Sequence, residues 1–210
     1  MNSTKINKSA TIVANGTFPT HSVPLNTLKQ SKLIIACDGA ANTLIKKKYT
    51  PDIILGDLDS ISQENKIKYS DSLIEQVNQS QNDLRKAIDY AKENSIVDIS
   101  IIGASGKRED HMIGNIFCLL DYKDLNINLF TDTGIFSCVQ SNQKIESFTG
   151  QNVSIFATDS TIKITSNNLK YNFNMNNIST LYNGTLNESL SDFFEITISH
   201  GSLLIFQTYN

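Results

Sequence analysis

The first part of the chain contains a series of short, uninterrupted apolar runs, and this series constrains the fold more than any other feature. The runs are ATIVANG, KLIIACDG, DIILGD, DISIIGAS and NINLFTD, and several of them stop at a glycine. They are continuous rather than alternating, which is typical of parallel strands that are covered on both faces. The pattern therefore predicts buried parallel strands that are joined by helical crossovers.

Two stretches between the runs have a helical pattern. In NDLRKAIDYAKEN, the apolar residues from Leu84 to Ala91 fall at i, i+3, i+4 and i+7, which places them on one helix face. Asn82 is the expected N-cap and Asp83 a first-turn acid. DHMIGNIFCLLDY predicts a more buried helix that starts at Asp110. Strands that alternate with helices predict a doubly wound α/β domain with a mostly parallel sheet.

The pattern changes near Gly134. Beyond this point the runs NVSIFATD, STIKITS, FFEITISHG and SLLIFQTY are separated by clusters of Asn, Ser and Gly, without a helical period. Such spacing predicts an all-β sandwich. We therefore expect an α/β domain over residues 1–133, followed by a β-sandwich domain over residues 134–210.

The composition excludes several classes of protein. The 210 residues are 40% hydrophobic and 19% charged, which is ordinary for a globular protein. A net charge of -3 provides no broad basic field for nucleic acid or an anionic membrane, and no apolar run is long enough to cross a bilayer. Cys37, Cys118 and Cys138 are scattered among apolar neighbours, which favours free thiols in a reducing compartment. Because the N-terminus also lacks the apolar core of a signal peptide, we expect a cytoplasmic protein.

Polar residues directly follow the predicted strands, where an open α/β sheet binds its ligands. Asp38 follows one strand, and Asp57 and Asp59 follow the next. Residues two apart in extended backbone point to the same face, about 6.5–7 Å from each other, so this pair can hold a hydrated Mg²⁺. An isolated D-x-D also fits two solvated turn acids, with Asp59 and Ser60 capping a helix, and by itself it does not decide between these interpretations.

The turn GASGKRED places two cations before the second predicted helix. Two residues separate Gly103 from Gly106, whereas a Walker A loop needs four, and Arg rather than Ser or Thr follows the Lys. Glycines, cations and a helix N-terminus suit an anionic phosphate in a different geometry. A plain surface turn with solvated Lys107 and Arg108 fits the residues equally well. It is the coincidence of such groups at several strand ends that favours a nucleotide site.

Taken in order, four stretches resemble the motif series of the thiamine pyrophosphokinase family. They are CDGAAN, PDIILGDLDS, NQSQNDLRKA and GASGKREDHMIGN. The family patterns are D-G-(G/A)-A-N, P-D-x-x-x-G-D-x-D-S, D-Q-D-x-T-D and G-G-R-x-D-H-x-x-x-N, and their order and approximate spacing match from Asp38 to Asn115. Further on, NLKY and GTLNE stand where the family has G-L-K-W and G-T-S-N-E. The joint occurrence is specific, because no general requirement of the fold links these stretches.

The resemblance implies an enzyme that transfers a pyrophosphoryl group from ATP to the hydroxyl of thiamine with Mg²⁺, giving thiamine diphosphate and AMP. It also implies a homodimer in which thiamine lies between the α/β domain of one subunit and the β domain of its partner. The roles that it implies are metal binding by Asp57, Asp59 and Asp83; ATP binding by Gln79, Asn82, Arg108 and His111; thiamine binding by Tyr171 and Asn187; and catalysis by Asp38 and Asp110, with Asp110 as a base or orienting group.

The sequence departs from the family pattern at Asn82, Lys107 and Leu186, where the family has Thr, Gly and Ser. The chain also has no Trp, so that Tyr171 would stack on thiamine. Two other functions remain open. A metal-dependent nucleotide-sugar transferase fits the D-x-D but not QSQND or REDHMIGN. A non-catalytic thiamine or nucleotide binder fits the fold but does not need three metal-facing carboxylates.

Overall fold

The structure, a computed structural model, describes residues 8–78 and 80–210, which form two compact units. The first unit runs to Cys118 and includes Asp124–Asp132. The second unit comprises Leu119–Lys123 and Thr133–Asn210. The main change of unit, after residue 132, lies close to the point at which the sequence pattern changes.

The first unit is built on a parallel sheet with the strand order β6-β5-β1-β2-β3-β4. Its strands are β1 (Lys8–Val13), β2 (Ile34–Cys37), β3 (Ile53–Gly56), β4 (Leu73–Glu75), β5 (Ile96–Ile102) and β6 (Asn126–Phe130). The chain runs outward from β1 through β4 and then returns to β5 on the other side of β1. This reversal is a topological switch point, and it opens a crevice at the carboxyl ends of the strands. The short strand β4 was not among the predicted runs.

Five helices join these strands in the described part of the first unit. They are α1 (Ser22–Gln30), α2 (Ala40–Lys46), α3 (Gln63–Lys68), α4 (Asp83–Glu93) and α5 (Glu109–Phe117). The predicted cap of α4 is confirmed, because Asn82 Oδ1 accepts a hydrogen bond of 3.0 Å from the Arg85 backbone N–H. The expectation that α5 is the more buried helix is wrong. The buried residue of α5 is Ile116, whereas Ile113 is 55% exposed. The prediction failed because the apolar content of a helix does not tell which of its faces the sheet covers.

The second unit consists of two antiparallel sheets, with the orders β12-β9-β14-β7 and β11-β10-β13-β8. Its strands are β7 (Gly134–Val139), β8 (Gln143–Glu146), β9 (Asn152–Phe156), β10 (Ile164–Asn167), β11 (Asn174–Asn176), β12 (Asn187–Glu188), β13 (Phe193–Ile198) and β14 (Leu203–Thr208). Buried side chains of both sheets form one cluster, including Ile155 and Ile205 from one sheet and Ile164 and Phe194 from the other. The predicted fold class, a mostly parallel α/β domain followed by a β sandwich, is confirmed.

Cys37 and Cys118 are buried and Cys138 is half-buried, and none of these described cysteines is joined in a disulfide. Among the helices of residues 8–78 and 80–210, none combines the length and the apolar character that crossing a membrane requires.

Candidate active site

A cavity of about 560 Å³ lies at the carboxyl ends of the strands of the first unit. Its walls come from the loops after β1, β3 and β5, from the end of β2 and from the first turn of α4. The residues that line it are Ala14, Asn15, Gly16, Cys37, Asp57, Gln81, Asn82, Asp83, Leu84, Lys86, Ala104, Gly106, Lys107, Arg108, His111 and Asn115. Five separate stretches of the sequence therefore meet at the switch point of the sheet.

Three carboxylates gather beside this cavity. One oxygen atom each of Asp38, Asp57 and Asp59 lies within 4.8 Å of the other two. Asp38 is 3% exposed, and its Oδ2 accepts a hydrogen bond of 3.1 Å from the Ser60 backbone N–H. Its Oδ1 is buried and receives no hydrogen bond from the described residues. Burial raises the pKa of Asp38 against the opposing Ser60 hydrogen bonds, and the nearby Asp83 and Asp57 carboxylates add to the rise.

Gly56, at the end of β3, makes this approach of acidic side chains possible. A Cβ atom on Gly56 would lie 2.7 Å from Asp38 Cβ and 3.4 Å from Asp83 Oδ1. The first distance is too short for two carbon atoms, so any larger residue would push Asp38 away from the cluster. Gly56, the glycine of the G-D-x-D stretch, therefore leaves the space that the Asp38 side chain occupies.

The donor set fits a hard divalent cation. Carboxylates that lie this close repel one another unless a positive charge lies among them. Mg²⁺ binds through one or two carboxylates together with water and phosphate oxygens. The unsatisfied Oδ1 of Asp38 and the convergence of three acids are what such an ion requires. The sequence grouped Asp83 with Asp57 and Asp59, whereas the structure groups Asp38 with them.

Asp83 instead contacts a lysine that sequence reasoning missed. Lys86 Nζ lies 3.0 Å from Asp83 Oδ1, and the Lys86 side chain is only 4% exposed. In an amphipathic helix a charged residue normally faces solvent, so the sequence pattern gave no reason to place Lys86 inside. The signal that the sequence did contain is the spacing of three residues from Asp83, at which side chains of a helix can form an ion pair. The contact keeps Asp83 at the cavity and compensates its charge.

Cys37 also lies at the cavity, but it is not poised to act as a nucleophile. Its Sγ is 3.6 Å from the backbone oxygen of Asp83. Burial raises the pKa of the Cys37 thiol far above its usual range, and the charges of Asp83 and Asp38 raise it further. The reactive form of cysteine is the thiolate, so the neutral thiol acts as a small apolar wall.

The turn after β5 contributes two cations with different partners. Lys107 Nζ donates to the backbone oxygen of Asn15 at 2.9 Å and to its Oδ1 at 3.0 Å. Arg108 holds Asp110 with two parallel hydrogen bonds, Nε to Oδ1 at 3.0 Å and an Nη to Oδ2 at 2.5 Å. The Arg108 hydrogen bond is the main reason that the pKa of Asp110 falls to about 2. A carboxylate with so low a pKa is a weak base and a good anchor for Arg108.

Two amides connect the loop after β5 to the start of α4. Asn82 Nδ2 donates to Asn115 Oδ1 at 3.1 Å, and Asn115 Nδ2 donates to the Ala104 backbone oxygen at 3.1 Å. His111 lines the cavity with them. Asn115 is a further residue that the site prediction left out. The predicted ATP ligand Gln79 lies outside the described residues.

In the second unit, the predicted thiamine residues are linked to each other. Asn187 is buried, its Oδ1 accepts from the Tyr171 backbone N–H at 3.0 Å, and its Nδ2 donates to the Tyr171 backbone oxygen at 2.8 Å. The Asn187 amide is thus used to hold the backbone of Tyr171. Tyr171 itself is 62% exposed.

Two models of known families match most of the chain, from residue 25 to residue 206. The model described as "Thiamin pyrophosphokinase, catalytic domain" matches residues 25–131, and the model described as "Thiamin pyrophosphokinase, substrate-binding domain" matches residues 134–206. This chain belongs to the thiamin pyrophosphokinase family. The family suggested by the four motifs is therefore confirmed.

Several curated proteins of this family are similar to the chain over part of its length. Thiamine pyrophosphokinase 1 of Oryza sativa subsp. japonica is 31% identical over 128 residues, which cover 49% of this chain and 48% of that protein. Thiamine pyrophosphokinase of Bacillus subtilis is 32% identical over 128 residues, which cover 58% of each chain. The chain thus spans about half the length of the curated relatives that it matches.

Solved structures of family members share the whole architecture. Thiamine pyrophosphokinase from Bacillus subtilis superposes with a TM-score of 0.81 at 22% identity, over 97% of this chain and 100% of that chain. Yeast thiamin pyrophosphokinase superposes with a TM-score of 0.81 at 17% identity, over 98% of this chain and 87% of that chain. At these identities the likeness establishes the fold of the thiamin pyrophosphokinase family, and the roles of individual residues rest on the geometry above.

Proposed function

We propose that this protein transfers a pyrophosphoryl group from ATP to the hydroxyl of thiamine with Mg²⁺, forming thiamine diphosphate and AMP. The observation that carries the proposal is the cluster of Asp38, Asp57 and Asp59 beside a cavity that cations also line. Transfer of this kind depends mainly on positioning the phosphates and on neutralising the charge of their oxygens. Membership in the thiamin pyrophosphokinase family supports the choice of acceptor.

In the proposed site, Asp38, Asp57 and Asp59 hold the metal. When bound, Mg²⁺ would supply the positive charge that neutralises phosphate oxygens and relieves the repulsion between the carboxylates. Asp83 was predicted as a metal ligand, and the Lys86 contact at 3.0 Å supports a different role for it. We propose that Asp83, whose charge Lys86 compensates, lines the cavity without binding the metal.

The residues of the loop after β5 and the start of α4 bind the nucleotide in this proposal. Arg108, His111 and Asn82 line the cavity and offer donors to phosphate or nucleoside oxygens. Gln79 stays a predicted member of this group. Asp110 holds the Arg108 guanidinium in a fixed orientation rather than taking a proton, since its pKa is about 2.

In the proposed transfer, the hydroxyl oxygen of thiamine bonds to the β-phosphorus of ATP as the bond from that phosphorus to the AMP oxygen breaks. AMP leaves, and the hydroxyl proton passes to solvent. Because such transition states are loose, the demand for a strong general base is small. Asp38 and Asp110 were the predicted catalytic residues. The buried Asp38 lies among the metal-binding oxygens, where it orients the reacting groups, and Asp110 acts through Arg108.

For thiamine, we propose that Tyr171 stacks on the cationic heterocycle and that Asn187 fixes the position of Tyr171. Aromatic faces attract cations with about 0.5–2 kcal/mol, and Tyr serves where Trp is absent. The predicted homodimer, with thiamine held between two subunits, belongs to the same proposal.

The test is AMP release from Mg-ATP with and without thiamine, on the wild type and on Asp57→Asn. We expect thiamine-dependent AMP from the wild type, abolished by a chelator. In Asp57→Asn we expect a loss of more than about a hundredfold, the scale of one preorganised electrostatic contact. Asp71→Asn, an exposed acid that does not line the cavity, is the matched control and keeps wild-type activity.

The same assay separates the competing functions. A nucleotide-sugar transferase would leave ATP intact with or without thiamine. A non-catalytic binder would bind Mg-ATP or thiamine in a calorimeter but release no AMP. Either result from the wild type would overturn the proposed reaction.

A further inference from the structure

Lys107 has a backbone conformation that is unfavourable for a lysine. Its φ is 61°, in the left-handed region, where a side chain with a Cβ atom is strained and glycine is preferred. The preceding Gly106 has a φ of 74°. Strained residues of this kind persist where the surrounding structure enforces them, and they concentrate at functional sites. A lysine at this strained position therefore needs a functional explanation.

The side chain of Lys107 is held at the cavity by neutral groups. Its ammonium donates to two oxygen atoms of Asn15, one of the backbone and one of the side chain. The two loops that it joins are also bonded through their backbones, because Gly16 N donates to Gly103 O at 2.6 Å and Thr17 N to Ser105 O at 2.8 Å. The ammonium of the exposed Lys107 is thus held against two loops that are bonded to each other.

The charge of Lys107 is not compensated as the other cavity cations are. Among the described residues that line the cavity, Lys86 pairs with Asp83 and Arg108 pairs with Asp110. Lys107, in contrast, contacts the neutral oxygens of Asn15. An ammonium has three N–H donors, and Asn15 takes two of them. The remaining donor and the full positive charge are available to an anion in the cavity.

We propose that Lys107 is an additional nucleotide-binding residue, whose ammonium contacts the polyphosphate of Mg-ATP. The inference rests on the proposed function and deepens it, because it assigns the phosphate chain to the rim formed by Asn15 and Lys107. A phosphate oxygen accepts the third N–H of the ammonium. The polyphosphate is the part of the nucleotide with most negative charge, so it gains most from an uncompensated cation.

The experiment measures binding of Mg-ATP and of AMP to the full chain by calorimetry, without thiamine. The variants are Lys107→Gly, Lys107→Ala and Lys107→Arg. We expect the Kd of Mg-ATP to rise about tenfold in the Gly and Ala variants, the effect of losing one charge-assisted hydrogen bond. Lys107→Arg keeps the charge and stays within about threefold of the wild type. The Kd of AMP, which lacks the polyphosphate, stays within about twofold in all three variants.

Lys48→Gly is the matched control for backbone strain. Lys48 also has a positive φ, 66°, and it is exposed and does not line the cavity. Glycine relieves backbone strain at either position, so we expect both Gly variants to raise the Tm. Only Lys107→Gly is expected to weaken the binding of Mg-ATP.

Two results would overturn the assignment of Lys107. One is a Kd for Mg-ATP within twofold of the wild type in both Lys107→Gly and Lys107→Ala. The other is an equal loss for AMP, which would show that the substitutions act on the shape of the loops. A wild type that binds Mg-ATP through Lys107 but releases no AMP with thiamine would overturn the proposed reaction alone.

Discussion

Replacing Lys86 by Met tests whether the buried ammonium compensates the acidic site. The Lys86 side chain is 4% exposed and its partner Asp83 is 33% exposed, with 3.0 Å between Nζ and Oδ1. Removing one partner of a fully buried ion pair costs about 3–5 kcal/mol, because the other charge is left uncompensated. Asp83 is in part accessible to water, which screens its charge, so we expect a loss of about 2–3 kcal/mol in the free energy of unfolding. Methionine fills the space of the lysine stem, which keeps the loss of packing small.

The assay is urea unfolding followed by circular dichroism, with the free energy obtained from the midpoint and the slope. Lys92→Met on the same helix is the control, since Lys92 and Asp124 form an exposed pair at 3.4 Å with 49% and 81% exposure. We expect that control to lose less than about 1 kcal/mol. Adding Asp83→Asn to Lys86→Met should restore more than half of the loss, because it removes the uncompensated charge. A loss in Lys86→Met no larger than in Lys92→Met, or no recovery in the double variant, would refute the reasoning.

Two further predictions concern the stability of the first unit. Asn82→Ala removes the N-cap of α4 and should lower the free energy of unfolding by about 1 kcal/mol, whereas Asn82→Ser keeps a capping oxygen; equal urea midpoints for the two variants would contradict this role of the side chain. Asp132 is exposed, and its slight desolvation opposes ionisation less than the hydrogen bonds from Thr20 and His21 favour it, so that its pKa is lowered. A lowered pKa stabilises the fold above the unfolded value of about 4 and ceases to do so as the pH falls through the folded value. Asp132→Asn should therefore be less stable than the wild type at pH 7, by about 1 kcal/mol, and the difference should shrink below about pH 4; a constant difference between pH 3 and pH 7 would argue against it.

The sequence determined the fold class and indicated which stretches meet at the cavity, because both are encoded in local patterns. Continuous apolar runs specify strands that are covered on both faces, and the stripe from Leu84 to Ala91 specifies one buried face of α4. The cap at Asn82 follows from the ability of its side chain to accept from the first turn. Acidic and basic residues directly after strands are brought together by any parallel sheet, since the carboxyl ends of its strands share one edge.

Only the tertiary structure decided which of these groups contact one another. Asp38, Asp57 and Asp83 all lie near the ends of neighbouring elements, and Asp38 rather than Asp83 joins the cluster with Asp57 and Asp59. The buried Lys86 forms an ion pair with Asp83. Helix α5 is more exposed than its apolar residues indicate. These outcomes depend on side-chain positions within a few ångströms, and elements distant in the sequence set those positions. A local pattern carries no information about such distances, so the sequence names the chemistry of the site while the packing selects its partners.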